Sequence, residues 1–254
     1  MKIKVVSINV YLGGRLWDNL TEFIIKEKPD VLLLQEVFNS SDENLPEYYR
    51  TFNELKKLGY AFGSFEIAFI YDDDNGFNPE GNAVLSIFPI NSSEKFLLID
   101  GDFKQNYKDI PENWPNLPRI AQHCRILAKQ QEINVINVQG IWDLAGDNPS
   151  ENRQKMINRI IEKTKGLKNV IIAGDTNANI NNPVLNDLAK LYKAVFGKEL
   201  TSTFNMKRKT NPGYATSDVD LMFVSNEINV ISKKVPQVDI SDHLPIVVEL
   251  ELPD

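Results

Sequence analysis

Polar side chains recur just beyond the ends of apolar segments that are typical of β-strands. Asn9 closes the first such segment, Glu36 follows the second, Asp175 follows a later one, and Asp242-His243 precedes the last. In layered α/β proteins the carboxyl ends of strands gather in one crevice. Carboxylates gathered there repel one another unless a cation lies between them. Carboxylate and amide oxygens are hard ligands, so this set predicts a Mg²⁺ or Mn²⁺ site rather than a zinc site, which would use more His or Cys.

Each of these residues also has an ordinary structural explanation. Asn9 suits a turn at a strand end, Glu36 suits a cap, and Asp175 suits an Asx turn. Asp242 would serve equally well as a surface carboxylate. Taken singly, each motif favours the structural explanation, and only the order of the motifs along the chain favours a shared site.

Alternating strands and helices must position these side chains. Apolar runs at residues 4–10 and 31–34 predict buried strands, and helical spacing predicts helices over residues 16–24 and 45–55. Asn148 is the predicted N-cap of a helix with Pro149 at its first position and Glu151 completing a capping box, and Asn182-Pro183 predicts another helix start. Residues 100–118 form a long connection. The remaining predicted strands cover residues 61–71, 82–88, 96–99, 119–127, 133–138, 170–173, 219–224, 230–235 and 245–250.

The composition limits the class of protein. The 254 residues are 42% hydrophobic and 25% charged, which predicts one globular domain over residues 1–254. A net charge of -7 disfavours binding to a long stretch of nucleic-acid phosphates, and it favours either a small or local phosphate substrate or a local basic patch. Cys124 is the single cysteine and is expected to fill apolar space in a strand. A strand at the very start and the lack of a long apolar run predict a cytoplasmic monomer without membrane insertion.

Taken in order, the motifs resemble one family. They run Ser-Ile-Asn at 7–9, Leu-Gln-Glu-Val at 34–37, Gly-Asn-Ala-Val-Leu-Ser at 81–86, Gly-Asp-Thr-Asn at 174–177, Asp-Val-Asp-Leu-Met-Phe-Val-Ser at 218–225 and Ser-Asp-His-Leu-Pro at 241–245. This set resembles the endonuclease/exonuclease/phosphatase superfamily, which includes deoxyribonuclease-type nucleases, abasic-site endonucleases, sphingomyelinases, inositol polyphosphate 5-phosphatases and tyrosyl-DNA phosphodiesterases. The resemblance implies an α/β fold of four layers, α/β/β/α, in which two mixed β-sheets pack together with helices outside.

The resemblance also implies metal ligands and substrate contacts. Glu36 would hold the metal, with Asn9 and Asp242 as its companions. Asn82 is predicted to contact the substrate. Trp142 would stack on a base or sugar of the substrate, or would simply cover the edge of a sheet; the sequence favours neither.

Four further residues would carry the chemistry implied by the resemblance. Asp175 would orient or deprotonate the attacking water, and Asn177 would hold the phosphate through its amide. Asp220 would accept a hydrogen bond from His243, which would donate to the phosphate or act as the acid or base.

One position departs from the family pattern. Many relatives carry a histidine in a segment like Asn-Val-His-Gly, and this chain has Gln139 there. A glutamine amide donates a hydrogen bond to phosphate but supplies no proton. Three readings stay open: the metal and His243 suffice with slower turnover, the substrate has a good leaving group, or the chain is a binding-only descendant or carries an introduced substitution. His123 is expected to be an ordinary strand residue, and Gln139 remains a predicted site residue.

Three smaller features of the sequence also have ordinary structural explanations. The basic cluster Lys207-Arg208-Lys209 would meet phosphates at the crevice rim, although a solvated loop is slightly favoured. Residues 72–76 fail the EF-hand pattern and predict a solvated hairpin tip. Thr176 is similar to the tyrosyl-DNA phosphodiesterase branch, which one residue does not establish.

The sequence as a whole predicts a Mg²⁺- or Mn²⁺-dependent phosphodiesterase or phosphatase. Its partner would be a phosphate ester, with nucleic acid or a nucleic-acid end among the candidates. The rival prediction is a catalytically weak or silent module that binds a phosphorylated ligand. It follows from Gln139, which stands where many relatives carry a histidine.

Overall fold

The computed structural model describes residues 1–99, 106–107, 117–143, 146, 148–197 and 199–253. Most of the long connection predicted over residues 100–118 therefore lies outside the described residues. The strands are β1 (Lys2–Asn9), β2 (Val31–Phe38), β3 (Phe62–Asp73), β4 (Gly76–Ser86), β5 (Ile90–Leu97), β6 (Asn106–Tyr107), β7 (Ile120–Ala128), β8 (Gln131–Gln139), β9 (Val170–Asp175), β10 (Lys193–Ala194), β11 (Asp220–Val224), β12 (Asn229–Lys234) and β13 (Ile246–Glu251). The helices are α1 (Trp17–Glu27), α2 (Thr51–Lys56), α3 (Glu151–Thr164) and α4 (Asn186–Leu191).

The described strands form two mixed sheets. The first has the order β12-β13-β1-β2-β4-β3-β6, and the second has the order β10-β11-β9-β8-β7-β5. Each sheet contains a central parallel pair, β1 with β2 in the first and β8 with β9 in the second. Their other neighbours run antiparallel. The carboxyl ends of the four central strands are those that carry the polar residues singled out in the sequence.

Four layers stack around three large apolar cores, and a smaller apolar cluster of the described residues includes Phe38, Tyr49 and Tyr71. One core lies between the sheets, where Val5 and Leu33 of the first sheet pack against Val135 and Ile171 of the second. A second core joins the first sheet to α1, and a third joins the second sheet to α3 and α4. The predicted α/β/β/α sandwich with two mixed sheets is confirmed. Among the described residues, no helix is both long and apolar enough to span a membrane.

Two helix predictions need correction. The predicted helix over residues 45–55 is a 3₁₀ turn, Glu47–Arg50, followed by the short α2, because Arg50 leaves the helical conformation at φ -118° and ψ 25°. Ser150, not Asn148, caps α3, since its hydroxyl accepts from the Arg153 amide at 3.3 Å. The Arg153 guanidinium binds the carbonyl of Asn148 at 2.7 Å and so holds the preceding chain outside the helix.

Strand predictions at the sheet edges also differ from the structure. The strand predicted at 96–99 is β5, which begins earlier at Ile90. Residues 91–95 are polar and were not part of the predicted strand, but β5 lies at the edge of its sheet and leaves much of its surface exposed. Cys124 and His123 lie in β7 as predicted. Cys124 is buried in the core between the sheets, and the Nε2 of His123 lies 2.9 Å from Asn134 Oδ1.

Candidate active site

Strand ends of the two central parallel pairs surround one cavity of about 360 Å³. Seven of the residues predicted from the sequence line it: Glu36, Gln139, Trp142, Asp175, Asn177, Asp242 and His243. Asn9 and Asp220 lie directly behind this wall and hydrogen-bond to residues that form it. Side chains that are as far apart in the chain as Asn9 and His243 therefore meet at one place.

A β-bulge turns the Glu36 side chain towards the cavity. Leu34 pairs with Ala83 and Val37 with Gly81, so two residues of β2 oppose one residue of β4. Glu36 adopts a φ of 57°, a conformation that non-glycine residues rarely take and that recurs at functional sites. Its Oε1 accepts from Asn9 Nδ2 at 2.8 Å and its Oε2 from the Leu12 amide at 3.1 Å. Both carboxylate oxygens are therefore held in fixed positions.

Glycines allow the backbone to approach closely at two of the family motifs. A Cβ atom at Gly81, opposite the bulge, would lie 2.0 Å from the carbonyl oxygen of Glu66. A Cβ atom at Gly174 would lie 2.0 Å from the carbonyl oxygen of Val138, and Gly174 has a φ of 144°. Only glycine fits at either position. Gly174 thereby sets Asp175 at the end of β9 against β8.

Asp175 is a buried carboxylate that accepts several hydrogen bonds. Its Oδ1 accepts from the Asn177 amide at 2.9 Å, and its Oδ2 accepts from Asn9 Nδ2 at 3.2 Å. Asn177 has a φ of 51° and forms the Asx turn that the sequence offered as the ordinary explanation of Asp175. Burial raises the pKa of Asp175 to about 6, against the lowering effect of nearby His243. Asp175 and Asn177 therefore form an Asx turn and also belong to the site.

His243 and Asp220 form a buried hydrogen-bonded pair. The His243 Nδ1 lies 2.8 Å from Asp220 Oδ2, which leaves Nε2 to the cavity side. Phe204 packs on the imidazole with ring centroids 4.6 Å apart, and Thr203 Oγ1 accepts from the Asp220 amide at 3.0 Å. Burial opposes protonation of His243, but the charge and hydrogen bond of Asp220 outweigh it and raise the histidine pKa to about 10. The imidazole is therefore a cation and a donor at neutral pH.

Gln139 lies at the end of β8, in register with Asp175 of β9. Its Nε2 lies 3.5 Å from Asp175 Oδ2, which is the limit of a hydrogen bond. Its Oε1 is buried and meets no partner among the described residues. An unsatisfied buried acceptor of this kind is costly and calls for a ligand or water that donates to it. The residue that departs from the family pattern therefore stands in the cavity wall with a free hydrogen-bonding atom.

The structure corrects the prediction that Asn82 contacts the substrate. Asn82 is buried between the sheets, and its amide donates to the Asn137 carbonyl at 3.0 Å and to the Ile120 carbonyl at 3.4 Å. Side chains of a strand share a face every second residue, so the cavity side of β4 is reached two residues away, at Glu80. The sequence motif was right about the strand and wrong about which residue emerges into the cavity.

Lys209 is a site residue that the sequence did not favour. It lines the cavity, and its Nζ lies 2.8 Å from Asp242 Oδ2. Its neighbours behave differently: Lys207 is exposed, and Arg208 pairs with Asp239 outside the cavity lining. The nearby aromatic pair was the available signal, because Lys209 lies over the rings of Phe204 and Tyr214. Other lining residues outside the family motifs are Tyr11, Leu12, Arg15, Phe69, Tyr71, Glu80, Leu117 and Arg119.

The charges fit a divalent cation. Carboxylates of Glu36, Asp175, Asp220 and Asp242 gather here, and the basic side chains paired with them are Lys209 and His243. Glu80, Arg15 and Arg119 also line the cavity, so the charged side chains at the site are five acids and four bases. The remaining negative charge favours an added cation, and the donors are hard oxygens. One atom each from Asp175, Asp220 and His243 also lie within 4.8 Å of one another. That trio is the weaker candidate, because the imidazole is already bound to Asp220 and a protonated imidazole does not ligate a metal.

Known proteins share this arrangement of the chain. The Endonuclease/Exonuclease/phosphatase family model matches residues 6–243. Comparison with curated protein sequences found no match. An endonuclease/exonuclease/phosphatase from Bacteroides vulgatus is 18% identical, with a TM-score of 0.73 and coverage of 100% of both chains. The human Nocturnin catalytic domain with bound sulfate anion is 18% identical, with a TM-score of 0.70 and coverage of 99% of this chain and 95% of that one.

A third solved structure, the mannosyl-6-phosphatase of Bacteroides thetaiotaomicron, is 18% identical with a TM-score of 0.70. It is covered over 100% of its length and covers 98% of this chain. At such identities the solved structures establish the shared fold. With the family match over residues 6–243, they establish that this chain belongs to the Endonuclease/Exonuclease/phosphatase family of hydrolases.

Proposed function

We propose that this protein is a Mg²⁺- or Mn²⁺-dependent phosphoesterase that uses water to cleave a phosphodiester or phosphomonoester. One observation carries the proposal: a buried carboxylate with a raised pKa, a carboxylate-bound imidazolium and a second fixed carboxylate, Glu36, meet around one cavity. Phosphoryl transfer needs mostly positioning and charge neutralisation, and this set of groups supplies both. We also keep the single domain over residues 1–254, the monomeric state and the cytoplasmic location as predictions.

Glu36 is the proposed principal metal ligand, with Asp242 beside it. Asn9 is better suited to orienting than to ligating, because its amide nitrogen bridges Glu36 and Asp175 while its Oδ1 accepts from the Tyr11 amide at 3.1 Å. When bound, the divalent cation would neutralise charge on the phosphate oxygens.

The chain's own groups account for the remaining steps. Asp175 orients the attacking water and takes its proton, and a pKa near 6 leaves it ionised at neutral pH while keeping it an effective base. The side-chain amide of Asn177, which lies 3.2 Å from the Gly140 carbonyl and 3.4 Å from Asp175 Oδ2, and His243 Nε2 donate to the phosphate oxygens. Asp220 keeps the imidazole protonated and fixes its orientation. Gln139 adds a hydrogen bond but no proton, so leaving-group protonation falls to His243 or the leaving group departs unprotonated.

The proposed substrate is small, or is the end of a larger molecule. A cavity of about 360 Å³ accommodates a phosphate with one attached ring, at the lower end of the range for small-molecule sites. The net charge of -7 argues against a long nucleic-acid track. A relative with this fold is a mannosyl-6-phosphatase, and another was solved with bound sulfate, an anion of the same shape as phosphate. Thr176 carries no substrate information, because its hydroxyl is buried against the Val219 carbonyl at 2.8 Å.

Hydrolysis of p-nitrophenyl phosphate and bis-p-nitrophenyl phosphate tests the proposal most simply. We expect turnover with Mg²⁺ or Mn²⁺, none with a chelator, and a loss on the order of 10³-fold for Asp175→Asn, as for other removals of a single transition-state group. The matched control is Asp187→Asn, which alters an exposed carboxylate paired with Lys190 and should leave the rate unchanged. If neither substrate nor a panel of sugar phosphates, phosphoinositides and nucleic acids is cleaved, the proposed activity is wrong.

Gln139 motivates the second candidate, a silent module that binds a phosphorylated ligand. The two candidates differ in what Gln139→His should do. In a slow hydrolase, an imidazole at the end of β8 adds a proton donor and should raise the turnover of substrates with poor leaving groups by about tenfold, within the usual range for general acid catalysis. In a silent module, calorimetry would show phosphate binding while neither the wild type nor Gln139→His turns over any substrate.

A further inference from the structure

Lys209 holds a fixed positive charge inside the cavity. Its Nζ lies 2.8 Å from Asp242 Oδ2, 5.8 Å from the centre of the Phe204 ring and 5.6 Å from the centre of the Tyr214 ring. Its side chain is 32% exposed, whereas that of Asp242 is 8% exposed. The ammonium is thus held between a buried carboxylate and two aromatic faces, with one side open to the cavity that Asp175 and Asn177 also line.

The backbone segment that carries Lys209 is tied to the turn that carries Asp242 and His243. The Asn205 amide donates to the Asp242 carbonyl at 2.9 Å, and Asn205 Nδ2 donates to the Ser241 carbonyl at 2.8 Å. The Lys209 amide in turn donates to the Asn205 carbonyl at 2.9 Å. Lys209 therefore keeps its place relative to the site, unlike a lysine on a free surface loop.

The same side chain is needed to balance charge. A buried carboxylate without a partner is strongly disfavoured, and Lys209 is the partner of Asp242. When an added cation reaches Asp242, that carboxylate is shared, and the ammonium can turn its remaining donors to another anion. An ammonium carries three N–H donors, so one bond to Asp242 leaves two for such an anion.

We propose that Lys209 is a phosphate-binding residue of this site, whose ammonium donates to a non-bridging oxygen of the substrate phosphate while Asp242 holds it in place. The inference rests on the proposed phosphoesterase function. It adds a residue from outside the family motifs, in the segment between α4 and β11. Its second consequence concerns the metal: Lys209 competes with an incoming divalent cation for Asp242, so the ammonium should strengthen phosphate binding and weaken metal binding.

Calorimetry on Lys209→Met tests these two consequences together. Mg²⁺ is titrated into the metal-free protein, and inorganic phosphate is titrated into the Mg²⁺-loaded protein. We expect phosphate affinity to fall by about tenfold or more and Mg²⁺ affinity to rise severalfold, as is typical when one partner of a close charge pair is removed. Lys209→Arg should stay near the wild type in both titrations. Lys207→Met, on the same segment but exposed, is the matched control and should match the wild type.

The opposite directions of the changes in phosphate affinity and Mg²⁺ affinity distinguish phosphate binding by Lys209 from a purely structural role. If Lys209 only packed against Phe204 and Tyr214, its loss would weaken both affinities together, or neither, and either result overturns the proposal. Lys209→Gln, which keeps most of the packing, provides the same measurement if Lys209→Met unfolds. The hydrolysis assay on the wild type distinguishes a failure of the Lys209 assignment from a failure of the proposed function. If the wild type turns over substrate but Lys209→Met binds phosphate as well as the wild type does, only the Lys209 assignment is overturned. If the wild type turns over no substrate, the proposed function is overturned.

Discussion

The space between the two sheets is apolar along most of its length and polar at one end. The change occurs within single strands, among the side chains that face the opposite sheet, and it comes one inward position earlier in β1 and β8 than in their neighbours β2 and β9. Those side chains are, in order, Ile3, Val5, Ser7 and Asn9 in β1; Val31, Leu33 and Gln35 in β2; Ile133, Val135, Asn137 and Gln139 in β8; and Ile171, Ala173 and Asp175 in β9. One period-2 pattern thus builds both the core and the site.

The polar end is organised in two steps. Nearest the core, Asn137 accepts from Gln35 Nε2 at 2.6 Å and donates to the carbonyls of Leu34 and Ala83 at 2.9 and 3.0 Å. These bonds join the sheets where apolar packing stops. Beyond them lies Asp175, whose pKa is raised first by its burial and then by the nearby carboxylates of Asp220 and Glu36. The apolar end therefore stabilises the fold. The amide layer, formed by the Gln35 and Asn137 side chains, fixes the geometry, and the charged end is less stable because its groups are arranged for catalysis.

Leu33→Ala tests the apolar end and should show the largest effect on stability. Leu33 is fully buried between the sheets, so its truncation should lower the free energy of unfolding by about 3 kcal/mol. The kcat/KM of the folded protein should stay within about twofold, because β2 reaches the cavity only three residues further along, at Glu36. Urea unfolding and steady-state kinetics measure the two quantities. A tenfold kinetic change at unchanged stability would mean that the two ends are not separate.

Asp175→Asn tests the charged end and should stabilise the metal-free protein while it removes activity. The folded pKa of about 6 lies above the ordinary value of 3.8, so the carboxylate's contribution to stability is lost as the pH rises through this window. This shift of the Asp175 pKa corresponds to a loss of at most about 3 kcal/mol in the free energy of unfolding. Asp175→Asn should recover only part of that loss, because the amide replaces one hydrogen-bond acceptor with a donor. We expect the variant to unfold at a higher temperature than the wild type at pH 8 in a chelator, with the difference narrowing towards pH 4. Equal unfolding temperatures of the variant and the wild type at pH 8 would contradict the claim that the ionised Asp175 carboxylate destabilises the folded protein.

Asn137→Ala tests the amide layer and should have the smallest effect on stability of the three. Truncation removes the hydrogen bonds to the Leu34 and Ala83 carbonyls and leaves the Gln35 side-chain amide only its 3.5 Å contact with Ser7 Oγ, which costs about 2 kcal/mol. Because Gln35 and Glu36 are the two residues of the bulge, Mg²⁺ affinity should also fall, and calorimetry measures it. If stability falls while Mg²⁺ affinity is unchanged, the layer joins the sheets without aligning the site.

Some of this could be predicted from sequence because it depends on local pattern. Apolar runs and helical spacing predicted the central strands and α1, and the order of motifs predicted the sandwich. The bulge at Glu36 was not predictable, since it depends on how β2 pairs with β4. For the same reason the sequence placed Asn82 in the cavity, although the register brings Glu80 there. Lys209 was offered only as part of a basic cluster for which a solvated loop was slightly favoured, because only the fold brings residues 203–209 onto the turn at Asp242.

Crystals soaked in Mn²⁺ would test the central claim most directly, since anomalous scattering locates the ion without assuming a mechanism. The account predicts one strong peak in the cavity, within coordination distance of Glu36 and adjacent to Asp242. A peak enclosed by Asp175, Asp220 and His243, or ions only at exposed carboxylates, would contradict it.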